Sequence, residues 1–143
     1  MLSYDRAVGA PQFPDDPKVH RVLAVYDALQ RRDWQALLRE VSPIPVLRIE
    51  GRSRHAGTYQ GQGQLIALAV QFEERIIPFA SEIDSLEIVG DAVRTVVTVS
   101  MRIPPNDVFR AKLREEFGFD GEGRVARMLV AGEDQAALDE FLG

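Results

Sequence analysis

The chain has 143 residues, 45% hydrophobic and 27% charged, with 17 Lys plus Arg set against 22 Asp plus Glu. That length and balance describe one folded domain and exclude wholesale disorder. The net charge of −5 leaves no basic excess for binding a nucleic-acid backbone, and the lack of cysteine removes disulfides, thiolate nucleophiles and cysteine zinc sites.

In chain order, residues 1–17 hold Pro11, Pro14 and Pro17 with little periodicity, and read as an N-terminal arm ahead of a domain spanning 18–143. Met1 to Arg6 lack the basic start and apolar run of a secretory signal, and no apolar stretch approaches the ~18 residues of a spanning helix. A cytoplasmic protein with no membrane partner is therefore expected. Asp16-Pro17 is a helix start, with Asp as N-cap and Pro in the first turn. Val19, Val22, Leu23, Tyr26 and Leu29 follow at helical spacing, and Arg31 and Arg32 close the last turn. Asp33 caps a short second helix with Trp34, Leu37, Leu38 and Val41 on its apolar side, ended by Ser42-Pro43 and Pro45. Residues 46–50 form a short strand and 51–61 a glycine-rich loop. A third helix carries Leu65, Leu68, Ala69, Phe72 and Ile76 and stops at Pro78.

The period then changes from 3.6 to 2. Residues 80–89 and 92–103 read as strands around a Gly90-Asp91 turn. Val93, Thr95, Val97, Val99, Met101 and Ile103 share one face of the second, while Arg94, Thr98, Ser100 and Arg102 share the other. Strands over 109–119 and 124–131 flank the hairpin Asp120-Gly121-Glu122-Gly123, and a helix over 134–142 ends the pattern. The order is α+β.

Three stretches carry a resemblance: Tyr26-Asp27-Ala28-Leu29-Gln30-Arg31-Arg32-Asp33-Trp34, His55-Ala56-Gly57-Thr58-Tyr59-Gln60-Gly61, and Phe117 through Val125. Together they resemble the nuclear-transport-factor-2-like superfamily, in its SnoaL-like and ketosteroid-isomerase-like branch. The resemblance implies a cone-shaped barrel of curved antiparallel sheet wrapped around three N-terminal helices, open at one end. It also implies a homodimer through the outer face of the sheet. The inner face would carry Val97, Val99, Met101, Phe117, Phe119, Met128 and Val130, with Phe72 from the third helix, and would receive a hydrophobic small molecule.

Steroid isomerases of this branch use a tyrosine, a carboxylate base and a protonated carboxylate. Aligned here, the tyrosine position falls on Val25 beside Tyr26, the base on Arg48, and the second carboxylate on Glu115. A guanidinium cannot replace a base, so steroid-type isomerisation by that set is not expected. Glu115 shares strand parity with Phe117 and Phe119 and should point inward, where desolvation would poise it for proton transfer. Arg48 would bind an anionic oxygen of the substrate, or else lie outward and pair with Glu50. His55, a group titrating near neutral pH, would stand at the pocket mouth as acid or base. Tyr26 would present its hydroxyl to the pocket or serve as a core residue.

No cofactor or metal is expected. Gly61-Gln62-Gly63 has Ile66 where a dinucleotide fingerprint needs a third glycine, and His20 and His55 lack companion ligands. Two functional classes follow. One is a cofactor-independent isomerase or cyclase acting by proton transfer on a hydrophobic carbonyl or polycyclic compound. The other is a non-catalytic ligand-binding or protein-interaction module of the same fold.

Overall fold

The computed structural model describes residues 13–143, the side chain of Phe79 excepted; residues 1–12 of the expected arm lie outside the described residues. Helix α1 (Pro17–Arg31) begins where Asp16 accepts a hydrogen bond from the Lys18 N–H at 2.8 Å. It ends at Arg32, whose left-handed backbone (φ 54°) turns its N–H back to the carbonyls of Ala28 and Leu29. Helix α2 (Trp34–Glu40) is capped by Asp33, which accepts from the Ala36 N–H at 3.0 Å. There follow β1 (Val41–Ile49), β2 (Gly57–Gln60), α3 (Gly61–Arg75), β3 (Ile77–Val89), β4 (Ala92–Arg102), β5 (Phe109–Phe119), β6 (Val125–Gly132) and α4 (Gln135–Leu142), the last capped by Asp134.

Three expectations are corrected here. Val41 does not close α2 but opens β1, which runs straight through Pro43 and Pro45. The strand tolerates them because its ladder to β6 is interrupted between Val41 and Val46, so no regular pairing there needs the missing N–H. Residues 57–60 of the expected loop are a strand, β2, paired antiparallel with β1. β3 starts at Ile77, immediately after α3, and includes Pro78.

The six strands form one sheet in the order β2-β1-β6-β5-β4-β3. It is mixed: β1 runs parallel to β6, and every other pair is antiparallel. Register breaks at Pro78/Ala80 and Ile83/Ser85 insert extra residues in β3, and one opposite Gly118/Phe119 leaves Ala126 as the extra residue in β6; such bulges bend and twist the strands and curl the sheet. α1 packs into the curl. Val19, Val22, Val25 and Ala28 are buried against Val93, Val97, Phe117 and Val125, while Leu29 is partly exposed, its expected place taken by Val25 and Ala28. This α+β cone positions one edge of Tyr26 over β4 and β5.

α4 is fastened to the loop after β1. The Gln135 amide donates to the Glu50 carbonyl (3.2 Å) and to Asp139 Oδ1 (3.0 Å), and its oxygen accepts from the Gly132 N–H (2.7 Å). Gly51, at φ 102°, passes beneath that network.

Candidate active site

Strand parity builds the site. Phe117 of β5 is fully buried in the core, so Glu115, two residues earlier, faces the same way. Its ladder partners are Thr95 on β4 and Val130 on β6. From the opposite side α1 delivers Tyr26, which is buried and held edge-on to Phe117 at 5.7 Å between ring centroids. The Tyr26 hydroxyl donates a short hydrogen bond to Glu115 Oε1 and lies 2.7 Å from Thr95 Oγ1. Tyr26 has one proton. While that proton is given to an ionised Glu115, Thr95 must be the donor to Tyr26, so the three groups form a directed chain, Thr95 to Tyr26 to Glu115.

Burial raises the Glu115 pKa above the ordinary carboxylate value, and the Tyr26 hydrogen bond, which favours the ionised form, pulls the other way. Desolvation is the larger effect. The adjacent charges are no help to it: Glu116 points to the outer face, where Arg94 Nε holds it at 2.7 Å.

The inner face is more polar than its strand alternation suggested. Thr95 is 2% exposed. One turn beyond Tyr26, the Gln30 amide donates to Ser81 Oγ at 3.3 Å, and Gln30 Oε1 is buried without a hydrogen-bond partner among the described residues. Strand alternation already placed Thr95 on this face, without a role; Gln30 could have been found as a polar residue at i+4 from Tyr26.

The other expected site residues lie elsewhere. For Arg48 the pocket placement is corrected and the outward alternative holds: its side chain is 56% exposed on the outer face, with Nε 3.0 Å from Glu50 and Nη1 3.3 Å from Thr58. The alternation Leu47-Arg48-Ile49 forces this, because both apolar neighbours are buried on the inner side. His55 is also corrected. It does not line a solvent-facing mouth but is 4% exposed, packed on Phe72 at 4.6 Å between ring centroids. Arg75 Nη1 lies 3.1 Å from its Nε2, so Nε2 accepts and the ring proton sits on Nδ1. Burial, then the charges of Arg75 and Arg54, lower the His55 pKa and hold it neutral. Tyr59 reaches the His55 carbonyl at 2.7 Å.

Of the expected lining, Val97 and Phe117 belong to the main core with Val99 against it, Val130 packs with Leu47 and Ile49, and Met101 packs with Ile76, Leu138 and Leu142. Met128 joins the first two groups, and Phe72 the last two. A concavity between β1, β6 and α3, bordered by Leu47, Tyr59, Leu65 and Met128, has room of about 10 Å³, the space of one water. A shallow groove of about 280 Å³ lies on the outer side beside Arg48, Glu116, Arg127 and Leu129. Glu115 and Tyr26 line neither. Among the described residues no three His, Asp or Glu side chains gather where they could hold a metal ion, and no helix is long and apolar enough to cross a membrane.

Neither a protein-family model nor a curated protein matches the chain. Solved structures do. An NTF2-like protein from Burkholderia xenovorans superposes with a TM-score of 0.74 at 22% identity, covering 89% of this chain and 96% of its own. TerC, co-crystallised with polyporic acid, gives 0.77 at 16% identity over 89% and 98%. A protein of ketosteroid-isomerase-like fold from Catenulispora acidiphila, in complex with trimethylamine, gives 0.69 at 14% identity over 86% and 93%. At such identities the likeness defines the fold: this is an NTF2-like, ketosteroid-isomerase-like α+β cone.

Proposed function

We propose that the chain is a small-molecule protein of the SnoaL-like kind that moves a proton on a hydrophobic carbonyl or polycyclic compound without a cofactor. The observation that carries this reading is the Glu115 carboxyl, desolvated on the inner face and bonded to the Tyr26 hydroxyl. A carboxyl whose pKa is raised toward the working pH is suited both to take and to return a proton. Glu115 takes a proton from the carbon beside the carbonyl, becoming neutral. Its hold on the Tyr26 O–H weakens at that moment, and Tyr26 can donate to the oxygen on which the negative charge develops. Return of the proton at another carbon restores the carboxylate. That two neighbours of the same fold hold small molecules supports a ligand-binding interior.

A non-catalytic module is the second reading, favoured by the tight packing: neither concavity includes Glu115. One experiment separates the two. Exchange of the α-protons of 2-tetralone, a bicyclic ketone, is followed by NMR in D2O, with ketone binding measured alongside. Catalysed exchange that falls about 100-fold or more in Glu115→Gln while binding persists supports the enzyme. Binding without exchange supports the module, and exchange unchanged in Glu115→Gln removes Glu115 from the mechanism. A cytoplasmic homodimer through the outer sheet face belongs to the same proposal; light scattering reads the assembly directly.

A further inference from the structure

Resting on the proton-transfer reading of Glu115, we propose that Thr95 is a positioning residue whose hydroxyl sets the direction of the Tyr26 O–H and thereby couples it to the protonation state of Glu115. Three contacts carry this. Thr95 Oγ1 is 2.7 Å from the Tyr26 hydroxyl, that hydroxyl also meets Glu115 Oε1, and Thr95 and Glu115 are direct ladder partners on β4 and β5.

A threonine hydroxyl can both donate and accept, and valine, its shape-equivalent, can do neither. With Glu115 ionised, Thr95 donates to Tyr26 and Tyr26 donates to the carboxylate; each bond polarises the next, so the far hydroxyl strengthens the near one. With Glu115 neutral, the carboxyl O–H donates to Tyr26, and Tyr26 turns its own proton to Thr95 or to a ligand oxygen. The only proton that changes owner passes between ligand carbon and Glu115. Tyr26 and Thr95 keep theirs and rotate.

Among the described residues, the groups facing Glu115 are few. α1 supplies Tyr26, β4 supplies Thr95 between Val93 and Val97, and β6 supplies Val130. Arg94 and Glu116 are paired with each other on the outer face. The anion therefore depends on one hydroxyl chain, and its outermost member is Thr95.

The test needs no substrate. Glutamate labelled with ¹³C at the carboxyl is incorporated into wild type, Thr95→Val and Thr95→Ser, with Glu115→Gln to assign the Glu115 resonance, and each is titrated by NMR. Thr95→Val is expected to move the Glu115 midpoint upward by about half a pH unit, from loss of the cooperative donor, and Thr95→Ser to bring it back. A purely structural threonine would alter stability and leave the midpoint in place, and that result overturns the inference. So does a Thr95→Ser midpoint that matches Thr95→Val. Where Thr95→Val does not fold, Thr95→Ala is titrated instead against the same two outcomes. Failure of the underlying reading looks different: wild-type Glu115 would titrate in the ordinary carboxylate range.

Discussion

Replacing Tyr26 with Phe removes a single oxygen from the centre of the polar chain and leaves the ring. The edge-on contact with Phe117 persists, because it belongs to the ring and not to the hydroxyl. Among the described residues, the hydrogen bonds lost are those to Thr95 and to Glu115. The cost depends on the charge of Glu115. With the carboxyl neutral, the losses are bonds between neutral groups, about 1 kcal/mol each. With it ionised, the bond to Tyr26 is charge-assisted and the loss rises to about 1.5–3 kcal/mol for that bond alone. Tyr26→Phe should thus destabilise by about 2 kcal/mol in mild acid and by about 1 kcal/mol more at alkaline pH.

The sign follows from linkage. The fold already raises the Glu115 pKa by burial, so this group's contribution to stability is full below the ordinary carboxylate range and declines as pH rises through the folded value. Tyr26 opposes that rise, and without it the decline is steeper. Urea unfolding of both proteins below and above the wild-type Glu115 midpoint, located by NMR titration, measures the difference. A loss of equal size at both pH values, or one below about 0.5 kcal/mol at each, refutes the assignment of the hydroxyl proton to Glu115.

Gly51→Ala puts a side chain on a backbone at φ 102°, with the new carbon 2.2 Å from Asp139 Oδ1 and 2.4 Å from Gln135 Nε2. Both atoms are tied into the α4 network, so thermal unfolding should show a loss of about 2–4 kcal/mol, whereas Gly63→Ala, in α3 with nothing within 4 Å, should be neutral or stabilising. His55 has a lowered pKa, so the stability tied to its neutral ring is present above the ordinary histidine range and lost as pH falls through the folded value. Its ring ¹⁵N shifts should report the Nδ1–H tautomer with a midpoint below the ordinary histidine value; a midpoint at or above that value would remove the Arg75 contact from consideration.

The elements that announced themselves in the sequence are those fixed by local chemistry. Asp16 and Asp33 each accept from a backbone N–H at the helix start where a cap was expected. Gly90 takes the positive φ (60°) that the turn between β3 and β4 needs. β5 occupies the expected 109–119, and its period of two was enough to send Glu115 inward. What escaped is set by partners distant in the chain. Pro43 and Pro45 read as terminators because their tolerance depends on a ladder break against β6, some eighty residues later. β2 is four residues long and is a strand only by virtue of β1 beside it. His55 sits in a loop whose composition suggests exposure, and becomes buried when Phe72 closes over it. Arg48 is a different case, with two placements left open. Its own alternation with Leu47 and Ile49 pointed outward, and alignment to the steroid isomerases pulled it toward the pocket.

Glu115 and Glu116 show how little of the site's chemistry resides in residue type. They are consecutive and chemically identical, and the pleat sends them to opposite faces of one strand. Glu116 meets water and the Arg94 guanidinium, so it stays an ordinary surface ion paired across two strands. Glu115 meets the Tyr26 hydroxyl, with Thr95 and Val130 as its ladder partners, in surroundings where a charge is expensive and a proton is welcome. A shift of register by one residue would exchange the two, placing Glu116 inside the cone and Glu115 beside Arg94. The bulge at Ala126 of β6, opposite Gly118 and Phe119, falls between the Glu115 pairing and the hairpin, so it alters the later pairing without disturbing the β5 parity that aims the carboxyl. The capacity for proton transfer is thus a property of the strand's register: moving the acid by 3.4 Å along the chain converts a candidate acid–base group into a solvated ion pair.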